Sequence, residues 1–421
     1  MRSVHNKSLN VLHDILPIKT NYTIKKMSDL TYRITGEQSI ERIEPLLSMV
    51  FPNRKLIPFS LSSSKDRIDF VWETTCEITM RKIHANALIY NRLNNSSIIE
   101  SKSDFAFLQI RMKNTCHVLP TYIACNRDKI LKWCKDRWDE EYSVFDVANN
   151  KDKDEDWWIL KASNGNGGRD IFVITSNTYQ RVLNSINVDE EFVIQKYIIN
   201  PILWNGKKFH FRAYSLMKAN MEAYVYQDSF ILSASDDYDT SNSLESFKHI
   251  TNLATNKHCN GHPGQVCCDL YEEYPQYFPG IIRVWEAVVT AAAPFMKNQK
   301  SESHFEFFGI DIVCDTSGKC WLIEVNRLPG LESSNNNKEK EDLMYNRMMI
   351  QLLLLLQRKN DSNESNKDTN RWWKCGSGDD KSFSVSSAIW KNIFEWKAFT
   401  RKNRKEVLVL ASGAGAGAET D

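Results

Sequence analysis

The stretch Glu306–Gly330, EFFGIDIVCDTSGKCWLIEVNRLPG, decides the reading of this chain. Phe307 to Cys314 is rich in aromatic and branched residues, Asp315-Thr316-Ser317-Gly318 carries turn chemistry, and Cys320 to Val325 is apolar again. This is the pattern of two strands joined by a polar turn. Side chains alternate between the faces of a strand, so Glu324 and Asn326 point the same way. Asp311 lies between Ile310 and Ile312, an odd place for a solvated residue. A hairpin can bring it beside Glu324 and Asn326, giving two carboxylates and an amide oxygen. Such hard oxygen ligands suit Mg²⁺, which keeps several waters and binds through carboxylates and substrate phosphates. The spacing alone is equally compatible with a hairpin that has polar residues on its wet face.

The blocks WWILKASNGNGGRDIFVI (157–174), FVIQKYIINPILWNGKKFHFRAY (192–214) and HITN (249–252) lie upstream. Together with IDIVCD and WLIEVNRLPG, and in this order, they resemble the tubulin–tyrosine ligase-like family of the ATP-grasp superfamily. The resemblance runs from about Trp157 to Met348. It implies an α+β ATP-grasp fold with an N-terminal domain (1–103), a central domain with a phosphate-covering loop (104–196) and a C-terminal metal-bearing domain (197–358). Residues 359–421 then form a low-complexity linker and a basic aromatic tail.

The resemblance also implies the chemistry. ATP phosphorylates a carboxylate and an amine displaces the phosphate, so water must be excluded and charge neutralised around the phosphates. On this reading Lys161 and the loop Gly165, Gly167 and Gly168 cover the phosphates, where glycines let backbone N–H groups approach. Gln195 and Lys196 match the hinge at the adenine edge, with Ile194 and Tyr197 beside the base. Lys208 and Arg212 lie four apart on one strand and so share a face. By resemblance Lys208 contacts the nucleoside and Arg212 the γ-phosphate or acylphosphate. Thr251 and Asn252 line the nucleotide site, and Asp311, Glu324 and Asn326 hold Mg²⁺. Arg212, Lys161 and Glu324 are the expected catalytic residues.

Two departures stand out. The family usually has Asp where this chain has His210, near the ribose, although a neutral imidazole can still pair with a hydroxyl. It also usually carries an arginine on the following strand. Here Lys and Arg are missing between Lys218 and Lys248, and the corresponding spot falls near Leu232 in SFILSAS. The leading expectation is an ATP- and Mg²⁺-dependent ligase that attaches free tyrosine, glutamate or glycine to a protein tail, tubulin above all. The alternative is a pseudoenzyme that serves as a tubulin- or microtubule-binding module. A ligase for a small-molecule carboxylate is a third option, disfavoured by the similarity to the tubulin-modifying branch.

Composition sets the outer limits. The chain has 421 residues, enough for two or three domains with sizeable cores. A net charge of +1 gives no overall steering towards nucleic acid. Ten cysteines lack the spacing of a disulfide scaffold and fit a reducing compartment, so a cytoplasmic location is expected; cytoskeletal association is what the resemblance to the tubulin-modifying family implies. His13 and Asp14 interrupt any signal-peptide core, while the basic first 28 residues leave a transit peptide open. The longest apolar run, Leu352 to Leu356, is far too short to span a bilayer.

Along the chain, Ser28 to Pro45 reads as helix-prone, Arg67 to Trp72 and Glu77 to Met80 as strands, and Ala85 to Asn91 as a helix. Asp128 to Trp138, Glu272 to Met296 and Lys338 to Arg358 read as helices. Asp146 to Asp156 reads as a solvated connector, and Ser233 to Ser246 as a mobile polar loop. The spacing of His258, Cys259, His262, Cys267 and Cys268 would permit zinc but lacks a pair–pair pattern. After the linker, Trp372, Trp373, Trp390 and Trp396 interleave with bases. That tail either packs its aromatic face on the body or docks on an acidic partner.

Overall fold

The computed structural model describes residues 29–51, 53–59, 68–74, 84, 86–112, 115–138, 156–163, 165, 170–256, 258–260, 262–296, 299, 301–334, 337–357, 371–376 and 408–410. The first sheet is parallel and contains β1 (Leu30–Ile34), β2 (Leu56–Pro58), β3 (Phe70–Trp72) and β4 (Ile89–Tyr90), in the order β2-β1-β3-β4. The second contains β5 (Thr121–Ala124), β6 (Trp158–Ala162), β7 (Ile171–Ile174) and β8 (Phe192–Lys196). The third contains β9 (Leu203–Trp204), β10 (Lys207–Lys218), β11 (Ala223–Ser233), β12 (Gln265–Asp269), β13 (Phe305–Cys314), β14 (Cys320–Arg327) and β15 (Trp372–Lys374). A final strand, β16 (Leu408–Leu410), pairs with β5, so the second sheet runs β16-β5-β8-β6-β7. The third runs β12-β11-β10-β13-β14, with β15 against β11 and β9 against β10. Both of these sheets are antiparallel.

The third sheet is apolar on both faces, and each face has its own core. Phe209, Phe211, Phe308, Ile310 and Ile312 face the helices Lys102–Met112 and Phe278–Ala292. The latter presents Ile281, Val284, Trp285 and Val288, the three-and-four spacing of a buried stripe. Tyr214, Leu216, Phe230, Phe305 and Phe307 face the helices Glu37–Val50 and Lys338–Gln357. Tyr32, Phe70 and Trp72 of the first sheet join that same core. The described residues of the first sheet and of the helix Glu37–Val50 therefore pack into the body, and a division after 103 falls within the helix Lys102–Met112. The second sheet has a separate core, under the helices Arg127–Trp138 and Tyr179–Leu183.

Several expectations are corrected. Ser28 to Pro45 is not one helix: Leu30–Ile34 is a strand, and the helix starts at Glu37 after Gly36. Ala85 to Asn91 is not a helix, because Ile89–Tyr90 is a strand. Strands of parallel sheets are buried on both faces and lose the alternation that marks a half-buried strand. Glu272 to Met296 divides into Leu270–Glu273 and Phe278–Ala292, with Pro275 in the intervening turn. Asp156 is no solvated connector, since it receives Arg137 and Lys196 and the indole N–H groups of Trp138 and Trp158. Arg371–Gly376, the start of the tail, packs on the body. Glu77 to Met80, the rest of the connector, and Trp390 and Trp396 lie outside the described residues. Among the described residues no helix is long and apolar enough to cross a membrane.

Candidate functional site

The hairpin β13–β14 pairs Asp311 directly with Glu324 and Gly309 with Asn326. A bulge follows, for Ile312 pairs with Leu322 and leaves Ile323 as the extra residue. The freed carbonyl of Ile323 accepts a hydrogen bond from Lys161 Nζ at 3.3 Å. Arg212 on β10 pairs with Asp311 and donates from Nη2 to Oδ2 at 2.9 Å, with Nε on the other oxygen. Asn326 Nδ2 donates to Asp311 Oδ2 at 3.3 Å. Gly309 makes this possible: a Cβ there would lie 3.0 Å from Arg212 Cδ and 2.9 Å from Pro329 Cβ. Only glycine lets the guanidinium cross the strand to reach its carboxylate.

Lys208, His210 and Arg212 share a face of β10, as the period-two spacing requires. Lys208 Nζ sits 3.8 Å from the centroid of the Tyr197 ring. His210 Nδ1 and Thr251 Oγ1 are 2.6 Å apart. Its Nε2, 3.7 Å from Asp311 Oδ1, is buried without a hydrogen-bond partner. His210 also faces Leu232 across β10–β11, so the two departures from the family pattern are direct neighbours.

From the second sheet, Lys161 Nζ donates to Gln195 Oε1 at 3.0 Å, and Gln195 Nε2 to Thr121 Oγ1 at 3.2 Å. Lys196 turns to Asp156 Oδ1 at 2.8 Å, away from the cluster around Asp311. Asn252 precedes the helix Leu253–Asn256 and accepts from Thr255 N at 3.1 Å. Gly165 accepts at its carbonyl from Lys102 Nζ at 2.6 Å. Gly167 and Gly168 lie outside the described residues.

Sequence reasoning missed Lys102. Its ammonium is also 3.8 Å from Glu324 Oε1. One local signal was there to read: a lysine opens the helix Lys102–Met112, where the positive end of the helix dipole disfavours a cation. Cys267 and Cys268 alternate along β12, and both ring nitrogens of His262 are engaged, with Ser233 O and Gly264 N. Among the described residues no group of three or more His, Cys, Asp or Glu is placed to hold a metal ion.

Burial sets the electrostatics. It lowers Lys208 to about 7, helped by the nearby Lys161 charge. Burial also lowers Lys161 to about 8, with the Glu324 carboxylate opposing the fall. His210 drops to about 4 through burial and is neutral at pH 7. Asp311 resists its burial because the Arg212 guanidinium stands beside it and bonds it, and its pKa stays below the ordinary value. Glu324 is raised, by burial first and then by the Asp311 charge. Two opposed carboxylates thus compete for one negative charge, the condition a divalent cation relieves.

These features define a mixed α/β protein with a polar, lysine-rich cleft between two antiparallel sheets. A profile of the tubulin-tyrosine ligase family matches residues 109–364, and the chain belongs to that family. It is 28% identical over 225 residues to tubulin polyglutamylase TTLL5 of Homo sapiens, covering 45% of this chain and 16% of that protein. It is 27% identical over 216 residues to probable alpha-tubulin polyglutamylase Ttll1 of Tetrahymena thermophila, covering 45% and 52%. With tubulin glycylase 3D of the same organism it shares 26% over 211 residues, covering 45% and 20%. The chain thus spans from about a sixth to about half of the length of these relatives.

Proposed function

We propose that the cleft binds ATP with Mg²⁺ and that the chain is an ATP-grasp-like ligase joining an amino acid to a protein tail, with tubulin as the acceptor. The observation that carries this reading is the pair of buried ammonium groups, Lys161 and Lys208. Among the described residues neither donates a hydrogen bond to a carboxylate. Burying a cation without an anionic partner is costly. A polyphosphate would supply that partner, and the opposed Asp311 and Glu324 would welcome the accompanying cation.

ATP, when bound, supplies the phosphoryl group that activates a carboxylate, and Mg²⁺ neutralises its phosphates. The chain's own residues do the rest. Lys161 and Lys208 bind anionic oxygens and return to full charge as they do so. Asp311, Glu324 and the side-chain oxygen of Asn326 would hold the cation. Arg212 keeps Asp311 ionised and presents a guanidinium to charge that develops beside it. The unpartnered Nε2 of His210 offers one more hydrogen bond to a ligand.

A second reading, a nucleotide-poor binding module for tubulin, is favoured by one observation. His210 and Leu232 oppose each other where the family pattern has charged residues. The test incubates purified chain with tubulin, ATP, Mg²⁺ and labelled glutamate, glycine or tyrosine. Covalent label on tubulin that depends on ATP supports the ligase. Tubulin binding with no label under any of the three amino acids supports the binding module.

A further inference from the structure

Glu306 is wholly buried in β13, and its side chain lies on the face opposite Asp311. Its Oε1 accepts from Arg327 Nε at 2.6 Å and lies 3.7 Å from Arg92 Nη1. Its Oε2 accepts the backbone N–H of Leu93 at 3.1 Å. Arg92 Nη2 also donates to the Glu73 carbonyl at 2.6 Å, at the end of the first sheet. Arg327 Nη1, in turn, is 3.7 Å from Glu100 Oε2. One carboxylate therefore ties β13 to the end of β14 and to the segment that leads into the helix Lys102–Met112.

Hydrophobic residues of similar volume would stabilise a fold as well as a buried ion cluster does. What this cluster adds is geometry. Arg327 follows Asn326 in the chain, and Glu100 stands two residues before Lys102. The Arg327–Glu100 contact thus links the strand that carries Glu324 and Asn326 to the helix that carries Lys102. Between Leu93 and Lys102 the chain is braced by Ser96 Oγ to Leu93 O at 3.0 Å and Ser101 N to Ser97 O at 3.0 Å. This path of contacts ends at the Lys102 ammonium, which touches Gly165 O and faces Glu324.

We propose that Glu306 is a positioning residue: through Arg327, Glu100 and Leu93 it sets Lys102 against Glu324 and the Gly165 carbonyl, so that the cleft is shaped to grip a nucleoside triphosphate. The inference rests on the nucleotide reading above for its ligand, while its geometric part stands by itself. The experiment uses the full chain and five variants: Glu306→Gln, Lys102→Ala, the double variant of these, Glu100→Gln, and Arg42→Ala. Arg42→Ala breaks the distant Arg42–Asp342 pair and reports general destabilisation. Affinity for Mg²⁺-ATP is read by thermal shift, and amide hydrogen exchange is followed across residues 96–112 without nucleotide.

Glu306→Gln is expected to weaken nucleotide binding about tenfold, and to add nothing further when Lys102 is already alanine, the signature of two groups acting as one. Arg42→Ala lowers the melting temperature and leaves affinity unchanged. Exchange over 96–112 rises in Glu306→Gln and stays at the parent level in Arg42→Ala. Glu100→Gln, whose side chain is half exposed, gives a smaller loss in the same direction and serves if Glu306→Gln does not fold. Additive losses, or unchanged exchange in Glu306→Gln and Glu100→Gln, overturn the proposal. A parent chain without nucleotide response overturns the nucleotide reading instead, and exchange alone then decides the positioning role.

Discussion

Asp311 and Glu324 oppose each other across the β13–β14 pair, and their environments push their acidities apart. Asp311 is held ionised by Arg212, and burial together with that fixed charge lifts Glu324. Glu324→Gln removes the repulsion while keeping volume, so its melting temperature in chelator is expected to equal or exceed the parent's. Ligation should fall on the order of a hundredfold or more, as when one group that balances transition-state charge is lost. Arg212→Ala should lose activity and stability together, and the exposed Lys338→Ala should change neither. Melting curves beside ligation rates for the three variants check this. Parental ligation by a normally folded Glu324→Gln would remove the hairpin from the site.

If the cleft takes a nucleotide as proposed, Lys208 and Lys161 should link its binding to proton uptake. In the free protein their pKa values are lowered to about 7 and about 8. An unfolded chain keeps its lysines charged to about pH 10. Between those limits the unfolded state holds more protons, so the stability of the free protein rises with pH. Phosphate oxygens favour the ammonium forms, and binding at pH 8 should draw protons from solution. Calorimetry in buffers of different ionisation enthalpy should show uptake, and Lys208→Met should diminish it. Proton release in the parent would contradict the assignment.

Asp156 anchors a different stretch of the molecule. Burial would raise its pKa, but its bonds to Arg137 and Lys196 hold it well below the usual carboxylate range. A depressed carboxylate contributes stability that is present above the unfolded value, near pH 4, and is lost as pH falls towards the folded one. Asp156→Asn should therefore cost about 2 kcal/mol at pH 7 and flatten the acid limb of the stability curve. Urea melts of parent and variant from pH 3 to 7 would reveal it.

Trp372 lies beyond the residues matched by the family profile and is nonetheless buried against Tyr226 and Phe307. Arg371 completes the cluster, bonding Asp228 and Asp269, while Arg347 Nη2 reaches Asp228 at 2.6 Å. Trp372→Ala should destabilise by about 3–5 kcal/mol, the range for a truncated core aromatic. A chain ending at residue 364 should melt lower still. Denaturant midpoints for both, at unchanged slope, are the measurement.

What the sequence made legible was local. The β13–β14 hairpin, the shared face of Lys208 and Arg212, and the strand carrying Lys161 follow from periodicity and turn chemistry. The bulge at Ile323 was hidden, because a one-residue insertion leaves the apolar pattern intact yet frees the carbonyl that Lys161 takes. Lys102 and Glu306 were hidden for another reason. Their partners lie far off in the chain, and a charged residue in a strand pattern does not announce what it will meet. The strand Leu30–Ile34 was misread because its parallel sheet buries it on both sides. The hinge reading of Lys196 rested on likeness, and in the folded chain its ammonium is bonded to Asp156.

The pairing of Tyr224 with Lys374 has a consequence for how the chain comes to be folded. On the ribosome, β11 emerges long before β15. Until Arg371–Gly376 arrives, the Tyr224–Tyr226 edge lacks its β15 partner, and Asp228 lacks the Arg371 guanidinium that joins Arg347 there. An open edge next to apolar residues is a template for strands of other chains. Closing it waits for a segment that follows β12, β13 and β14 in sequence, a long-range contact that forms after the local ones. The nascent protein therefore passes through an interval in which its sheet is built but not yet sealed, and factors that shield nascent edges would act there.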